Sequence, residues 1–149
     1  MKNKLIEIIK KKIVLELHNL ELASKSTRSY SQSDDLKSEG KYDTRAIEAK
    51  YLAEAQELRV KTIRNELAII TKLTTASSKV VTIGSVVYCD NLAYFIIPIS
   101  GQGTISDDEQ KIQTISHNTQ LAKEMIGLEV DDSFEHPISG KELHITKIV

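Results

Sequence analysis

Apolar residues in the first half of the chain recur at intervals of three and four positions, the spacing of one face of an α-helix. In residues 5–22 this stripe comprises Ile6, Ile9, Ile13, Leu17 and Leu20. In residues 44–73 a second stripe comprises Ala49, Leu52, Ile63, Leu67 and Ile70. Neither segment contains proline, and the helix formers Glu, Lys, Ala and Leu dominate both. The pattern therefore predicts two long amphipathic helices, separated by a polar stretch at 24–38.

The two stripes mirror each other about residue 38, which indicates an antiparallel hairpin. Facing residues in such a hairpin have a constant sum of residue numbers. The sum is 76 for three apolar pairs, namely Ile6–Ile70, Ile9–Leu67 and Ile13–Ile63. At coiled-coil spacing these pairs would bury a seam between the helices. The same register places Ser24 opposite Leu52, so the predicted seam weakens toward the turn.

Beyond a polar connector at 74–78 the pattern changes to short β-like runs separated by turn residues. Strands are predicted at 79–83, 85–89, 93–97, 112–115, 130–134 and 143–148. Gly101 and Gly103 indicate a hairpin turn, and a short helix at 119–126 is ended by Gly127. The sequence thus predicts an α+β protein. A coiled-coil hairpin with an acidic tip near 33–43 occupies 1–74, and a small antiparallel β-sheet domain with one short helix occupies 79–149.

Composition and charge narrow the classes of protein. Of 149 residues, 40% are hydrophobic and 28% are charged, which is typical of a folded globular protein. The longest apolar runs are too short to span a bilayer, so no membrane partner is expected. The single Cys89 excludes an intramolecular disulfide and favours a reducing compartment, with cytoplasm as the expected location.

The charge is unevenly distributed along the chain. Residues 1–76 carry fifteen Lys and Arg against eleven Asp and Glu, whereas residues 77–149 carry five against ten. A basic hairpin beside an acidic domain suggests two parts with different partners.

No self-contained catalytic constellation is visible. The four histidines are scattered without metal-ligand spacing, and Cys89 at a predicted strand end is best interpreted as a buried small hydrophobe. Gly140-Lys141 lacks the upstream glycine and the following Ser or Thr of a phosphate-binding loop. We therefore expect no cofactor of its own and no small-molecule substrate.

The acidic stretch at 33–43 is the one candidate site. Asp35 and Glu39 are four residues apart, so a helical turn would place both carboxylates on one side. Mg²⁺ needs only one or two protein carboxylates, and this stretch could therefore complete a metal site on another macromolecule. The alternative is a solvated turn that caps the second helix, since Asp and Ser favour such positions.

The chain contains the stretches DLKSEGKY at residues 35–42 and ISHNTQLAKEMIG at residues 115–127, and both resemble the Gre family of bacterial transcript cleavage factors. Residues 35–42, DLKSEGKY, are similar to the family's hairpin-tip sequence DLKENAEY. Residues 115–127, ISHNTQLAKEMIG, are similar to a family pattern in the second domain that begins Ile-Ser and ends in Gly. Residues 80–87 also resemble the family's entry into that domain. In this order and spacing, the resemblance spans nearly the whole chain.

The resemblance implies a transcription elongation factor whose partner is core RNA polymerase. Members of the family bind the polymerase through an FKBP-like C-terminal domain, and their hairpin enters the secondary channel. There the tip acids help to hold a second Mg²⁺, so that the polymerase cleaves backtracked RNA. The implied metal is the Mg²⁺ of the polymerase, the nascent RNA is contacted only indirectly, and the chain itself is not an enzyme.

By position in the motif, Asp35 matches the first tip acid. The second acid of the family falls on Ser38 here, and Glu39 follows one residue later. The expected catalytic and metal-reaching acids, acting only in complex with the polymerase, are therefore Asp35 and Glu39. The expected polymerase or RNA contacts are Asp34, Lys37, Tyr42, Asp43, Arg45 and Lys50. Arg45 and Lys50 lie just behind the tip, where they could steer or hold RNA phosphate.

A different class of function stays open at this stage. The hairpin could serve as an adaptor or dimerisation module, with the β domain binding a peptide. Prolyl isomerase activity is disfavoured, because a chain with no Trp and only five Tyr and two Phe offers little for an aromatic pocket. Whether the polymerase would be activated or inhibited, and how the hairpin is oriented on the second domain, does not follow from the sequence.

Overall fold

The computed structural model describes the backbone of residues 1–31 and 42–149 and the side chains of residues 1–26 and 44–149. The helices are α1 (Lys2–Ser31), α2 (Tyr42–Thr71) and α3 (Gln120–Met125). The strands are β1 (Val86–Cys89), β2 (Leu92–Ile97), β3 (Thr104–Asp107), β4 (Gln110–Ser116), β5 (Ser133–Glu135) and β6 (Glu142–Ile148). The chain divides into two compact units, Lys11–Ala68 and a second formed by Met1–Lys10 with Ile69–Val149.

Both N-terminal helices are 30 residues long, so α1 continues well into the Ser-rich stretch that the sequence analysis had placed between the helices. Ser24 shows why, since it is buried despite its hydroxyl group. It continues the inward-facing stripe of α1, so the helix keeps a packed face beyond its last large apolar residue.

Within Lys11–Ala68 the two helices pack along a seam of heptad spacing, and the predicted hairpin is confirmed. The inward stripe of α1 comprises Ile13, Leu17, Leu20 and Ser24, and that of α2 comprises Ala46, Ala49, Ala53, Gln56, Val60 and Ile63. The α2 stripe alternates steps of three and four without interruption, as coiled-coil packing requires. Arg59 forms an ion pair with Glu16 across the helices, and these residue numbers sum to 75, close to the predicted register.

One detail of the predicted seam is wrong. Leu52 is 53% exposed, whereas its neighbour Ala53 is buried. The reason is geometric, because Ala53 lies four positions from Ala49 and three from Gln56, while Leu52 falls outside that heptad. The part of the seam nearer the turn is therefore built from small residues instead of a leucine.

The Arg64–Glu21 ion pair also joins the two helices. Its residue numbers sum to 85, so this contact lies outside the register of the seam. It joins side chains on the flank of the hairpin.

The second unit contains a six-stranded sheet in the order β3-β4-β2-β1-β6-β5. All pairings are antiparallel except β2 with β4, which is parallel and was not expected. The predicted α+β class with one short helix is confirmed. The hairpin turn assigned to Gly101 and Gly103 is wrong, because β4 lies between β2 and β3 and the chain must cross it.

Residues 79–83, predicted as a strand, form only an isolated bridge between Val80 and Glu129. Both edges of β1 are already paired with β2 and β6, so no edge beside it is left for this segment. Instead the backbone of Val81 bonds to the loop after α3, donating to Leu128 and accepting from Gly127.

The core of this unit lies between the sheet and α3. Its buried members are Val81, Val87, Cys89, Tyr94, Ile96, Ile115, Ala122, Met125, Phe134, Leu143 and Ile145. The first turns of α1 belong to the same unit, where Leu5, Ile6 and Ile9 are buried. Lys2 Nζ donates to the carbonyl oxygen of Ala76 at 2.8 Å, and Lys4 forms ion pairs with Asp107 and Asp108.

Candidate functional site

The ends of α1 and α2 define the bounds of the acidic connection between them. α1 ends at Ser31 and α2 begins at Tyr42, so the connection carries Asp35 and Glu39. The predicted site residues Asp34, Asp35, Lys37 and Glu39 lie outside the described residues. Tyr42 and Asp43 open α2, and their side chains also lie outside the described part.

Arg45 and Lys50 are the predicted contacts whose side chains are described, and both are exposed in the first turns of α2. Five helical positions separate them by about 140° around the helix axis. The buried Ala49 and the half-buried Ala46 lie between them, so the two cations occupy opposite flanks of the seam. The structure therefore does not bring them together into one phosphate site.

The hairpin carries exposed apolar side chains outside its seam. Large apolar side chains about half exposed or more are Val14, Leu15 and Leu22 on α1 and Ile47, Tyr51, Leu52 and Leu58 on α2. One flank also holds a shallow groove of about 440 Å³ lined by Lys12, Leu15, Glu16, Asn19, Leu20 and Arg59. At about 100° per residue, Leu15 and Leu22 share the face of α1 turned away from the seam, and Ile47, Tyr51 and Leu58 share the corresponding face of α2.

The second family-like stretch, residues 115–127, folds as a strand, a turn and the short helix α3. Thr119 caps the helix, since its Oγ1 accepts from the amide of Ala122 at 3.2 Å and donates to the carbonyl of Ser116 at 2.8 Å. Ala122 and Met125 are buried in the core. Gly127 ends the segment with φ of +94°, a conformation that favours glycine. The buried apolar residues of this stretch therefore serve the fold, whereas its exposed residues are Asn118, Thr119, Gln120, Lys123, Glu124, Ile126 and Gly127.

The second unit contains one cysteine, Cys89, and it is buried. Burial raises the pKa of the Cys89 thiol to about 12, with a further contribution from the charge of Asp90. Such a thiol is almost wholly protonated at neutral pH, so the expectation of a buried hydrophobe fits its environment. Among the described side chains, those of residues 1–26 and 44–149, no three His, Cys, Asp or Glu residues are grouped as a metal site.

Over the same residues, no helix combines the length and the apolar character needed to cross a bilayer.

No protein-family model and no curated protein sequence matches this chain. The solved structures that are similar to it include three of Gfh1 proteins. GreA factor homolog 1 (Gfh1) of Thermus thermophilus has a TM-score of 0.38 and 18% identity, with 94% of each chain covered. A structure of the transcription factor Gfh1 has a TM-score of 0.37 and 19% identity, covering 93% of this chain and 92% of that one. Gfh1 of Thermus aquaticus has a TM-score of 0.36 and 18% identity, with the same coverage.

Proposed function

We propose that this protein is an accessory factor of RNA polymerase, whose helical hairpin enters the secondary channel and carries its acidic connection to the active site. One observation carries the proposal. Two 30-residue helices pair as a hairpin, and the connection between them contains the family-like stretch with Asp35 and Glu39. In this proposal the protein acts in the cytoplasm on the polymerase, and has no catalytic site of its own.

The seam of the hairpin supports entry into a narrow channel. Its α2 side changes from Val60 and Ile63 to the small residues Ala53, Ala49 and Ala46 toward the connection. The distance between packed helices depends on the side chains at the contact and falls when those side chains are small. A hairpin built in this way becomes more slender toward the end that would enter.

The exposed apolar residues outside the seam support the same proposal. Leu15, Leu22, Leu52 and Leu58 contribute little to the packing of the hairpin, because half or more of each is exposed. Enclosure of the hairpin by channel walls would remove this apolar surface from water, at roughly 25 cal/mol for each Å² buried.

At the active site the proposed role of Asp35 and Glu39 is to lend carboxylate oxygens to the second Mg²⁺ of the polymerase. A metal bound in this way orients and activates the water that attacks the RNA phosphodiester. Because Ser38 stands where the family has an acid, Glu39 must supply the second carboxylate if backtracked RNA is to be cleaved. Without it, occupancy of the channel would modulate the polymerase by obstructing substrate access.

Transcript release from backtracked elongation complexes tests the catalytic part of the proposal. Asp35→Asn and Glu39→Gln remove charge while keeping size, and each is expected to slow release by about tenfold or more, as for loss of a metal-reaching group. Glu54→Gln is the matched control, since it removes one exposed carboxylate of α2 away from the connection.

Binding is measured separately by competition with a known secondary-channel factor. If the wild-type chain binds and both tip variants release transcript as fast as the control, the metal role is wrong. If the wild-type chain does not bind core polymerase at low salt, the whole proposal fails.

A second candidate function is self-association through the hairpin. It is favoured by two outward-facing apolar rows, Leu15 with Leu22 on α1 and Ile47, Tyr51 and Leu58 on α2, either of which a second hairpin could cover in a four-helix bundle. Light scattering across a concentration series tests it. A concentration-dependent dimer that Leu15→Ser with Leu58→Ser converts to monomer would support this alternative, and a monomer at all concentrations would exclude it.

A further inference from the structure

Strand β5 forms one edge of the six-stranded sheet, and its hydrogen-bonding groups divide into two sets. β5 pairs with β6 in the register Ser133–His144, Phe134–Leu143 and Glu135–Glu142. The backbone bonds that flank this pairing run from the amide of His136 to Lys141 and from the amide of Ile145 to Asp132. Because antiparallel pairing uses alternate residues, the amide and carbonyl groups of Ser133 and Glu135 point away from β6, toward the open edge.

The side chains of β5 alternate in the same way. Phe134 and its partner Leu143 are buried in the core, so Glu135 and its partner Glu142 lie on the opposite, exposed face. Glu135 and Glu142 occupy a pair without mutual backbone hydrogen bonds, where facing side chains come closest. Like charges directly opposite each other on neighbouring strands are unfavourable.

Neither Glu135 nor Glu142 is among the described ion pairs, which near this strand comprise a contact of 3.6 Å between His144 and Asp131, an ion pair only when the histidine is protonated. The exposed acids Glu129, Asp131 and Asp132 extend the negative surface, with Lys141 as the nearby cation. The fold thus keeps two facing carboxylates at a free sheet edge without neutralising them.

A groove and a rigid turn complete this surface. Ser133, Phe134, Glu135, Gly140 and Glu142 line a groove of about 430 Å³. Beside it, Nδ1 of His136 accepts the amides of Ile138 and Ser139 at 3.2 and 3.3 Å, and the carbonyl of His136 accepts the amide of Gly140 at 2.9 Å. A turn held by these bonds is ordered before any partner arrives, which lowers the entropic cost of binding.

We propose that β5 is a docking edge for an extended basic segment of another protein, which adds to the sheet as a seventh strand. The segment's backbone bonds to the outward groups of Ser133 and Glu135. Its Lys or Arg side chains, at alternate positions, lie over Glu135 and Glu142. Main-chain hydrogen bonds give such a complex its affinity, and alternate side chains give it specificity. An arginine suits this place best, because its planar guanidinium pairs with carboxylates in a bidentate manner. The proposal does not depend on the hairpin or on polymerase.

The test uses the full chain, labelled with ¹⁵N, and the synthetic peptide acetyl-Val-Arg-Val-Arg-Val-amide. We expect saturable shifts of the amide signals of Ser133 and Glu135. The doubly substituted variant Glu135→Gln with Glu142→Gln is expected to bind about tenfold more weakly, as for the loss of two exposed charge pairs. The matched control, Glu109→Gln with Glu124→Gln, removes two exposed acids elsewhere in the same unit and should stay within about twofold.

Two further peptides separate strand addition from simple charge attraction. The first is methylated on the backbone nitrogens of both arginines, which removes donors without removing charge, and it should not bind. The second carries Glu in place of Arg, and it should not bind either. Four results would each overturn the proposal. The methylated peptide could bind as tightly as the parent peptide, or the control variant could lose as much affinity as Glu135→Gln with Glu142→Gln. The amide shifts could also spread over all acidic residues, or be absent.

Discussion

Gln56 occupies a position in the hairpin seam that an apolar residue would normally fill, and its replacement gives the sharpest test of the packing described above. Gln56 is half-buried in the heptad stripe of α2, opposite Leu20 in the predicted register. Its Oε1 is buried, and it has no hydrogen-bond partner in the described residues. An unsatisfied buried polar atom costs about 1–3 kcal/mol, so Gln56→Leu should stabilise the chain.

The expected gain is about 1–2 kcal/mol, because leucine has a similar volume and adds apolar contact without leaving an unpaired carbonyl oxygen. For a chain of this length that corresponds to a rise in Tm of about 2–6 °C. Urea unfolding followed by circular dichroism at 222 nm measures the change in free energy of unfolding. Amide exchange at Ala53 and Val60 shows whether the gain lies in the hairpin.

Gln56→Glu is the matched variant, since it keeps the shape and places a charge in the seam. We expect it to destabilise the chain at neutral pH, because a partly buried charge without a partner is costly. A destabilised Gln56→Leu, or a Gln56→Glu variant as stable as the parent, would refute the reasoning. Either result would mean that the carbonyl of Gln56 is hydrated or paired in solution.

Two predictions concern the second unit. Thr119→Ala should cost about 1 kcal/mol in urea unfolding, because it removes the cap that accepts the amide of Ala122, whereas Thr119→Ser should cost less; equal losses would show that the hydroxyl does not cap α3. The raised pKa of Cys89, about 12 against an ordinary 9.0, means that the unfolded thiol loses its proton first as pH rises. The free energy of unfolding should therefore fall between pH 9 and 12, and it should fall less steeply in Cys89→Ala. The burial of Cys89 would be contradicted by an equally steep fall in the variant, or by rapid labelling of the native thiol with a thiol reagent at pH 8.

The helical hairpin could be predicted from the sequence because its determinants are local. Helical periodicity needs only residues three and four apart, and the mirror symmetry of Ile6, Ile13, Ile63 and Ile70 is visible in residue numbers alone. The choice of Ala53 over Leu52 was missed because it depends on a heptad that only the packed partner selects. A hydrophobicity pattern favours the larger residue, whereas coiled-coil geometry favours the one that faces inward.

In the sheet, too, the strands are largely predictable from the sequence, whereas their pairing is not. Five of the six predicted strands have counterparts, since β-branched runs carry their own signal. Strand β3 was not predicted, because Ile105 is its one large apolar residue. Residues 79–83 were predicted as a strand, but they cannot pair with β1 because both edges of β1 are occupied. The pairing of two strands that are distant in sequence produces no periodic pattern in the sequence of either strand.

The candidate site also has a part that the sequence predicts and a part that it does not. Its acids, Asp35 and Glu39, follow from the sequence, because charge and spacing along one connection are local properties. The separation of Arg45 from Lys50 around α2 required the helix to be placed against its seam.

The sequence is enough to predict the helices, the acidic connection between them and most strands, since each depends on neighbours along the chain. Only the folded molecule reveals the parallel β2–β4 pair, the inward face of α2 and the open edge at β5, where Glu135 is paired with Glu142. Segments that are distant in sequence compete for a limited number of sheet edges and helix faces. The outcome of this competition cannot be read from a short stretch of sequence.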